Sequence, residues 1–572
     1  MGLLSRSKHS NNNHGNLPEG NANAEIQVSP DREKDAGLYD DTPVKFLTGW
    51  SIAMGLLVSM GGFIFGYDTG QISGFLAMKD FLKRFGELQS DGTYKFSDVR
   101  SGLIVGLVSH QSPLCDQAST DDIKLSIGTL AGALAVAPIA DRIGRKYSMT
   151  FWSLIFMVGV VIQMASNTSW QQVAVGRLIA GSGVGSLSIL VPMYVSETGP
   201  RQVRGALVST YQLFITLGIF VADAINFGTE KRPNSGSWRI PMGIGFVWPL
   251  ILGIGILAFP ESPRYAYRNG RIDEARACMA KFYGVPETHR EVRREIGDIK
   301  EKHDLEVSLG KRPWTELLTG PRMAYRTLLG ITLQALQQLT GANFFFYYGT
   351  TIFQATGISN SFVTAMILGG VNFGMTFFGL YIVEKYGRRK SLIVGGIGMT
   401  VNFLIFASVG SFALNSANPQ STPKAGAAMI VFACFFICFY ATTWGPIIWC
   451  IVGELFPSHY RARSMALVTS SNWTWNFLIA FFTPFITNAI GFKYGYVFAG
   501  CNFAAVLIVY FFVCETQGRT LEEIDTMYIS KVKPWKSSKW IAPSSEHERL
   551  VDEKAYSNKE EGVLQQENVE IH

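Results

Sequence analysis

Runs of apolar residues about as long as a membrane is thick, separated by short polar loops, pattern this chain from residue 50 to residue 514. A helix needs about 20 such residues to cross roughly 30 Å of hydrocarbon. Windows of that kind fall at 50–77, 101–140, 148–165, 171–195, 205–227, 243–259, 325–354, 360–383, 391–411, 426–453, 464–490 and 494–514, and predict an all-α membrane protein of twelve transmembrane helices. The longest polar segment of the interior, 261–321, separates the sixth window from the seventh and holds helix-forming stretches such as "RIDEARACMAKFY". The expected organisation is a leader at 1–45, a six-helix half at 46–260, a helical linker at 261–321, a second six-helix half at 322–514 and a tail at 515–572. One window is interrupted: "VSHQSPLCDQASTDDIK" at 108–124 sets a proline and three aspartates in the middle of span 2.

Composition agrees with the pattern. Hydrophobic residues make up 48% and charged residues 16% of the 572, against roughly 25% charged in soluble domains. The net charge of +6 is spread between apolar segments, which argues against a nucleic-acid-binding face. The seven cysteines show no metal-ligand spacing, so no metal or cofactor is expected. Neither a nucleotide-binding glycine loop nor a nucleophile–base constellation stands out, so the chain does not read as an enzyme or an ATP-driven pump. The leader, rich in Asn, Gly, Asp and Glu without an apolar core, reads as disordered and not as a signal peptide.

Basic residues collect in alternate loops: Arg142, Arg145 and Lys146 after span 2, Arg201 and Arg204 after span 4, Lys385, Arg388, Arg389 and Lys390 after span 8, Arg461 and Arg463 after span 10. Short basic loops mark the cytoplasmic face, which places both termini in the cytoplasm. One basic loop, "TEKRPNSGSWR" after span 5, falls on the other side.

The halves repeat. "DRIGRK" at 141–146 recurs as "EKYGRRK" at 384–390, "SETGPRQVR" at 196–204 as "GELFPSHYRAR" at 453–463, and "PESPR" at 260–264 as "CETQGR" at 514–519. Two six-helix copies in parallel orientation are the arrangement of transporters whose halves rock about a central site. These motifs, with "QQLTGANFFFYYGTTIF", resemble the sugar porter family of the major facilitator superfamily, above all its fungal hexose transporters, from about residue 50 to 525. The resemblance implies the major facilitator fold, a plasma-membrane location, function as a monomer and a monosaccharide substrate. One departure is "CETQG", where the family's form begins with proline and has lysine before the glycine.

Polar residues inside spans mark the path, because polar groups facing lipid are costly. Gln334, Gln337 and Gln338 share a face of span 7, followed by Gly341, Asn343 and the pair Tyr347 and Tyr348. In span 10, Gly445 and Pro446 of "WGPIIW" are placed to open the helix and present Trp449. Asn472 and Asn476 lie a turn apart in span 11, Asn372 in span 8 and Gln212 in span 5. Amides both donate and accept, which suits the hydroxyls of a neutral sugar, while an aromatic face covers its C–H surface. The alternative is that these amides only glue helices together. By resemblance, Gln212, Gln337, Gln338, Asn343, Asn372, Trp449 and Asn476 match the family's sugar-contacting positions, with Asn472 beside them.

Two charges stand out within the bilayer windows, Asp68 in span 1 and Arg177 in span 4, and pairing between them is expected. In proton-coupled members of the family the matching aspartate takes up the proton and the arginine tunes it. Fungal facilitators also carry the aspartate, so facilitated diffusion and proton symport both remain open. Asp141, Arg142, Arg145, Glu197, Arg204, Glu384, Arg388, Glu454 and Arg461 form a charged layer at the inner ends of the spans, where acid–base pairs can latch the halves.

The leading reading is a hexose transporter working by alternating access. A sugar sensor of the same fold would need a signalling tail, and the tail here is mostly charged and without repeats. A poorly functional product is the other reading, and it rests on the block. Removing 108–124 joins "RSGLIVGL" to "LSIGTLAGALAVAPIADRIGRK" as one apolar span. The block would be encoded by 17 × 3 = 51 nucleotides, and its ends are compatible with splice signals, so it reads as a translated, unspliced intron; the structural alternative is an enlarged external loop, with span 2 starting near Leu125.

Overall fold

The structure is a computed structural model and describes residues 48–89, 92–106, 136, 139–200, 204–309, 315–320, 322–354, 360–415, 418–457, 460–519 and 521–541. Every expected span except the second falls on described helix. The block at 108–124 and the leader lie outside the described residues, as does the tail beyond 541. Among the described residues, nine helices are long and apolar enough to cross a membrane. The difference from twelve has three sources: spans 11 and 12 join in one run, Arg463–Phe512; span 7 is split; and span 2 begins as Asp98–Gly106 and then leaves the described residues. A small antiparallel hairpin, Glu87–Leu88 with Tyr94–Lys95, lies between spans 1 and 2, an addition to the all-α expectation.

Close helix packing rests on small residues. Span 1 (Gly49–Phe75) presents Gly62, Gly66, Gly70 and Gly74, one per turn, to Tyr211, Ile215, Ile219 and Asn226 of span 5 (Arg204–Thr229). A side chain at Gly66 would enter the space of the Ile215 carbonyl, so the two backbones touch there. Gly66→Val is therefore expected to cost several kcal/mol, more than the roughly 1–3 of ordinary overpacking, because backbone cannot move aside. The check is loss of the monodisperse peak in detergent gel filtration.

Two spans are irregular where the amides lie. Span 7 is Met323–Leu339 followed by Ala342–Gln354, and the break falls at Gly341, whose φ of +89° admits few side chains. The rings of Phe403 and Phe498 also close on that glycine, leaving no room for a Cβ. Span 10 runs Pro423–Phe439, then a π-helical turn at Tyr440–Trp444, then Gly445–Leu455. The irregular turn thus precedes Gly445 and Pro446, and Pro446, which has no N–H to give to the preceding turn, falls just after it.

At the end of the bundle away from the repeated charged motifs, the two halves are tied together. Thr350 of span 7 exchanges hydrogen bonds with Ser73 of span 1, with the two hydroxyls 3.1 Å apart. Asn360 donates to Glu230 at 2.9 Å, Asn488 to Asp98, and Phe220 stacks on Phe373 at 6.4 Å between spans 5 and 8. Gly102 of span 2 also packs in this seam, against Phe481 of span 11.

The stretch read as a linker carries helix Ile272–Tyr283, which packs on the first half, where Thr48 and Ser51 both donate to the carbonyl of Phe282, and helix Arg290–Leu309, which packs on Ile272–Tyr283. Beyond span 12 (Tyr494–Phe512), the chain forms another helix, Leu521–Ile529, and a 3-10 turn, Pro534–Lys539, folded against the second half. Arg326 at the start of span 7 is fully buried and holds Asp525 at 2.6 Å.

Candidate functional site

The break in span 7 brings three helices to one amide cluster. Asn472 is its hub: its amide donates to Gln334 Oε1 at 2.6 Å and Gln337 Oε1 at 2.7 Å, and its carbonyl oxygen accepts from Gln338 at 2.9 Å. Gln338 Oε1 in turn accepts from Asn343 at 2.5 Å and Asn476 at 3.3 Å, and Tyr347 donates to Asn476 at 3.0 Å. Gln337 Nε2 reaches the span 10 carbonyls of Trp444, at 3.2 Å, and Gly445, at 2.9 Å, next to the π turn. The cluster holds no formal charge, and each member can trade an amide partner for a hydroxyl without leaving a lone ion.

Three expected members stand apart from this network. Gln212 is half-buried on span 5, with no hydrogen bond to its amide among the described residues. Asn372 is buried on span 8 with its Oδ1 unpartnered. Trp449 is 37% exposed, whereas Trp444, which the sequence did not single out, is fully buried and donates to the carbonyl of Leu392 at 2.9 Å.

Asp68 and Arg177 meet. Arg177 Nη2 lies 3.2 Å from Asp68 Oδ2, Gln71 donates to Asp68 Oδ1 at 2.9 Å, and both charged residues are 1% exposed. Span 5 also buries an acid. Asp223 of span 5 is 6% exposed and faces Gly369 of span 8, with no hydrogen bond or ion pair to its carboxylate among the described residues. One acid in "GIFVADAINFG" does not break an apolar window, so hydropathy alone does not mark it. Burying an unpaired carboxylate is costly, so Asp223→Asn is expected to raise the thermal midpoint in detergent by a few degrees. A lower midpoint contradicts that account.

At the charged end, Arg145 pairs with Asp141 at 3.2 Å and Glu197 at 3.3 Å, Arg268 reaches Asp141 at 3.7 Å, and Arg388 pairs with Glu454 at 3.1 Å. The Arg145 pairs lie within the first half and the Arg388 pair within the second, while Arg268 comes from the stretch read as a linker. Arg142 is exposed, and its carbonyl accepts from Tyr265 at 2.8 Å. Arg204, Glu384 and Arg461 sit on described helices, but their side chains lie outside the described residues. The repeat explains two acids read only as markers. Glu261 accepts from the backbone N–H of Arg145 and Lys146, and Glu515 from those of Arg388 and Arg389, so each carboxylate caps the start of the third span of its half. Beside Glu261, burial and that carboxylate push the Cys278 thiol well above its usual range. Cys278 is therefore expected to resist maleimide at neutral pH until the protein is unfolded, as mass spectrometry would read.

A split seventh span, an irregular tenth and paired charged layers at one end define a major facilitator carrier. Residues 54–528 match the family model described as "Sugar (and other) transporter", and the chain belongs to that family. It is 46% identical over 526 residues to the hexose transporter HXT10 of Saccharomyces cerevisiae, covering 91% of this chain and 92% of that one. It is 46% identical over 495 residues to a low-affinity glucose transporter of Kluyveromyces lactis (86% and 84%), and 44% identical over 489 residues to the high-affinity fructose transporter ght6 of Schizosaccharomyces pombe (85% and 88%). Among solved structures it resembles the E. coli xylose transporter XylE in a partially occluded inward open conformation. That match has a TM-score of 0.65 and 21% identity, and covers 83% of this chain and all of that one.

Proposed function

We propose that this protein is a plasma-membrane hexose transporter that takes up glucose and related monosaccharides by alternating access, with both termini in the cytoplasm. The carrying observation is the neutral amide cluster built across the broken span 7 and spans 10 and 11. In this reading Gln337, Gln338, Asn343, Asn472 and Asn476 exchange their mutual hydrogen bonds for those of sugar hydroxyls. Gln212 and Asn372 bring unused amide atoms from the facing spans, and Trp449 lies against the sugar's C–H face. The relatives named above as hexose, glucose and fructose transporters support the substrate class.

In this reading the seam through Ser73, Thr350, Glu230 and Asn360 is the outer gate in its closed form. Opening the outside breaks that seam and brings the charged layers of the two halves together, so that acids and bases now paired within a half can latch across it. Arg177 and Asp68 give the proton-coupled version its basis, since a buried pair that separates during the cycle exposes a carboxylate to a proton.

The test is radiolabelled glucose uptake in a host lacking its own hexose transporters, with and without residues 108–124. Uptake is expected, and is expected to be larger without the block, whose removal restores an uninterrupted span 2. If neither form takes up glucose, the transporter reading fails. Alkalinisation of the medium on adding sugar marks symport; uptake without it marks facilitated diffusion.

A further inference from the structure

Span 12 ends in Tyr510, Phe511 and Phe512, three aromatic side chains exposed on the outer surface of the bundle. The chain then returns to this spot. Helix Leu521–Ile529 stops at Lys531, which takes a left-handed conformation (φ 55°) while Val532 N–H reaches back to the carbonyl of Met527. Ser537 is buried, accepts from the Glu515 N–H at 2.8 Å and donates to the Pro534 carbonyl. Arg519 clamps the carbonyls of Ser537 and Trp540 at 2.6 and 2.8 Å. The turn is thus fixed to the end of the last span.

What this turn displays is chemically consistent. Lys531, Lys533, Lys536 and Lys539 are all exposed, and none forms an ion pair among the described residues. Lys533 lies 5.8 Å over the ring of Trp535, and Trp535 is 47% exposed and packs edge-on against Phe511 at 6.4 Å. Trp535 is therefore at the depth where span 12 leaves the hydrocarbon. Tryptophans favour that boundary, and a basic cluster beside a membrane-spanning helix attracts anionic headgroups within a Debye length.

We propose that the segment 531–541 is a lipid-binding site. Its four lysines engage the headgroups of anionic phospholipids in the adjoining leaflet, and Trp535 sets their depth. The occupant is the charged bilayer surface, not a free phosphate, because the lysines are held beside lipid-facing aromatics and not around a cavity. The clamp on Arg519 and Glu515 passes this anchoring to the start of span 9, which Glu515 caps.

The experiment uses the purified full-length protein in neutral detergent and reads its thermal midpoint with added phosphatidylserine or phosphatidylcholine micelles. Phosphatidylserine is expected to raise the midpoint by several degrees more than phosphatidylcholine. Replacing all four lysines with Gln should erase the difference, replacing them with Arg should keep it, and 0.5 M salt should shrink it. Should the fourfold Gln variant not fold, the pair Lys536→Gln and Lys539→Gln should give a partial loss. An equal response to both lipids overturns the proposal, as does a preference that survives the Gln substitutions or is reproduced by soluble glycerophosphoserine.

Discussion

Gln338→Ala is expected to cut glucose uptake per transporter at the cell surface tenfold or more, through a raised KM, whatever folded protein it also loses. Gln338 joins spans 7 and 11, accepting from Asn343 and Asn476 and donating to Asn472. Truncation removes its own bonds to a sugar and strands the partners, at about 1–3 kcal/mol for each buried group left unsatisfied, where 1.4 kcal/mol is a factor of ten. Gln334 provides the contrast. It is buried and touches the cluster only by accepting from Asn472, so Gln334→Ala should lower the folded yield and leave the KM of the remaining transporter close to its original value. If the amides serve only as glue, both variants lose surface protein together and neither changes KM. Uptake curves normalised to surface fluorescence of a tagged protein separate the two outcomes.

The parts legible in the sequence are those that lipid enforces. Span lengths follow from hydrocarbon thickness, and the position of Asp68 opposite Arg177 followed from the cost of burying either alone. The break at Gly341 showed only as a glycine among aromatics, because what demands it is the closure of Phe403 and Phe498, two residues far along the chain. Nor does the sequence alone decide between Trp444 and Trp449. Both flank Gly445 and Pro446, and which one is buried depends on the π turn that rotates the helix before them. The docked tail carries a signal of its own: Ile524, Met527 and Tyr528 recur at helical spacing amid charges, and all three are buried. Glu261 and Glu515 were visible as a repeat, yet their capping role needed the folded geometry that sets each beside the first N–H groups of a span.

Arg177→Ala is expected to be among the most damaging single changes, eliminating most folded protein. It leaves the Asp68 carboxylate, 1% exposed, with Gln71 as its remaining partner. Breaking a buried pair from one side costs about 3–5 kcal/mol, whereas replacing both members is often close to neutral. Asp68→Asn alone should fail for the mirror reason, since Arg177 would keep its charge with its Nε and Nη1 already unpartnered. The double variant Asp68→Asn with Arg177→Met should therefore recover a normal gel-filtration profile, and a double variant no better than either single one would show that the pair is not what these residues contribute. The recovered protein then separates the two modes of transport. A proton symporter without its carboxylate should still equilibrate sugar across the membrane but should no longer accumulate it against a gradient at acid external pH. A facilitator should behave alike before and after the exchange, because its cycle never used the proton. Concentrative uptake measured on the double variant thus reads the role of the pair without the confusion of misfolding that either single substitution brings.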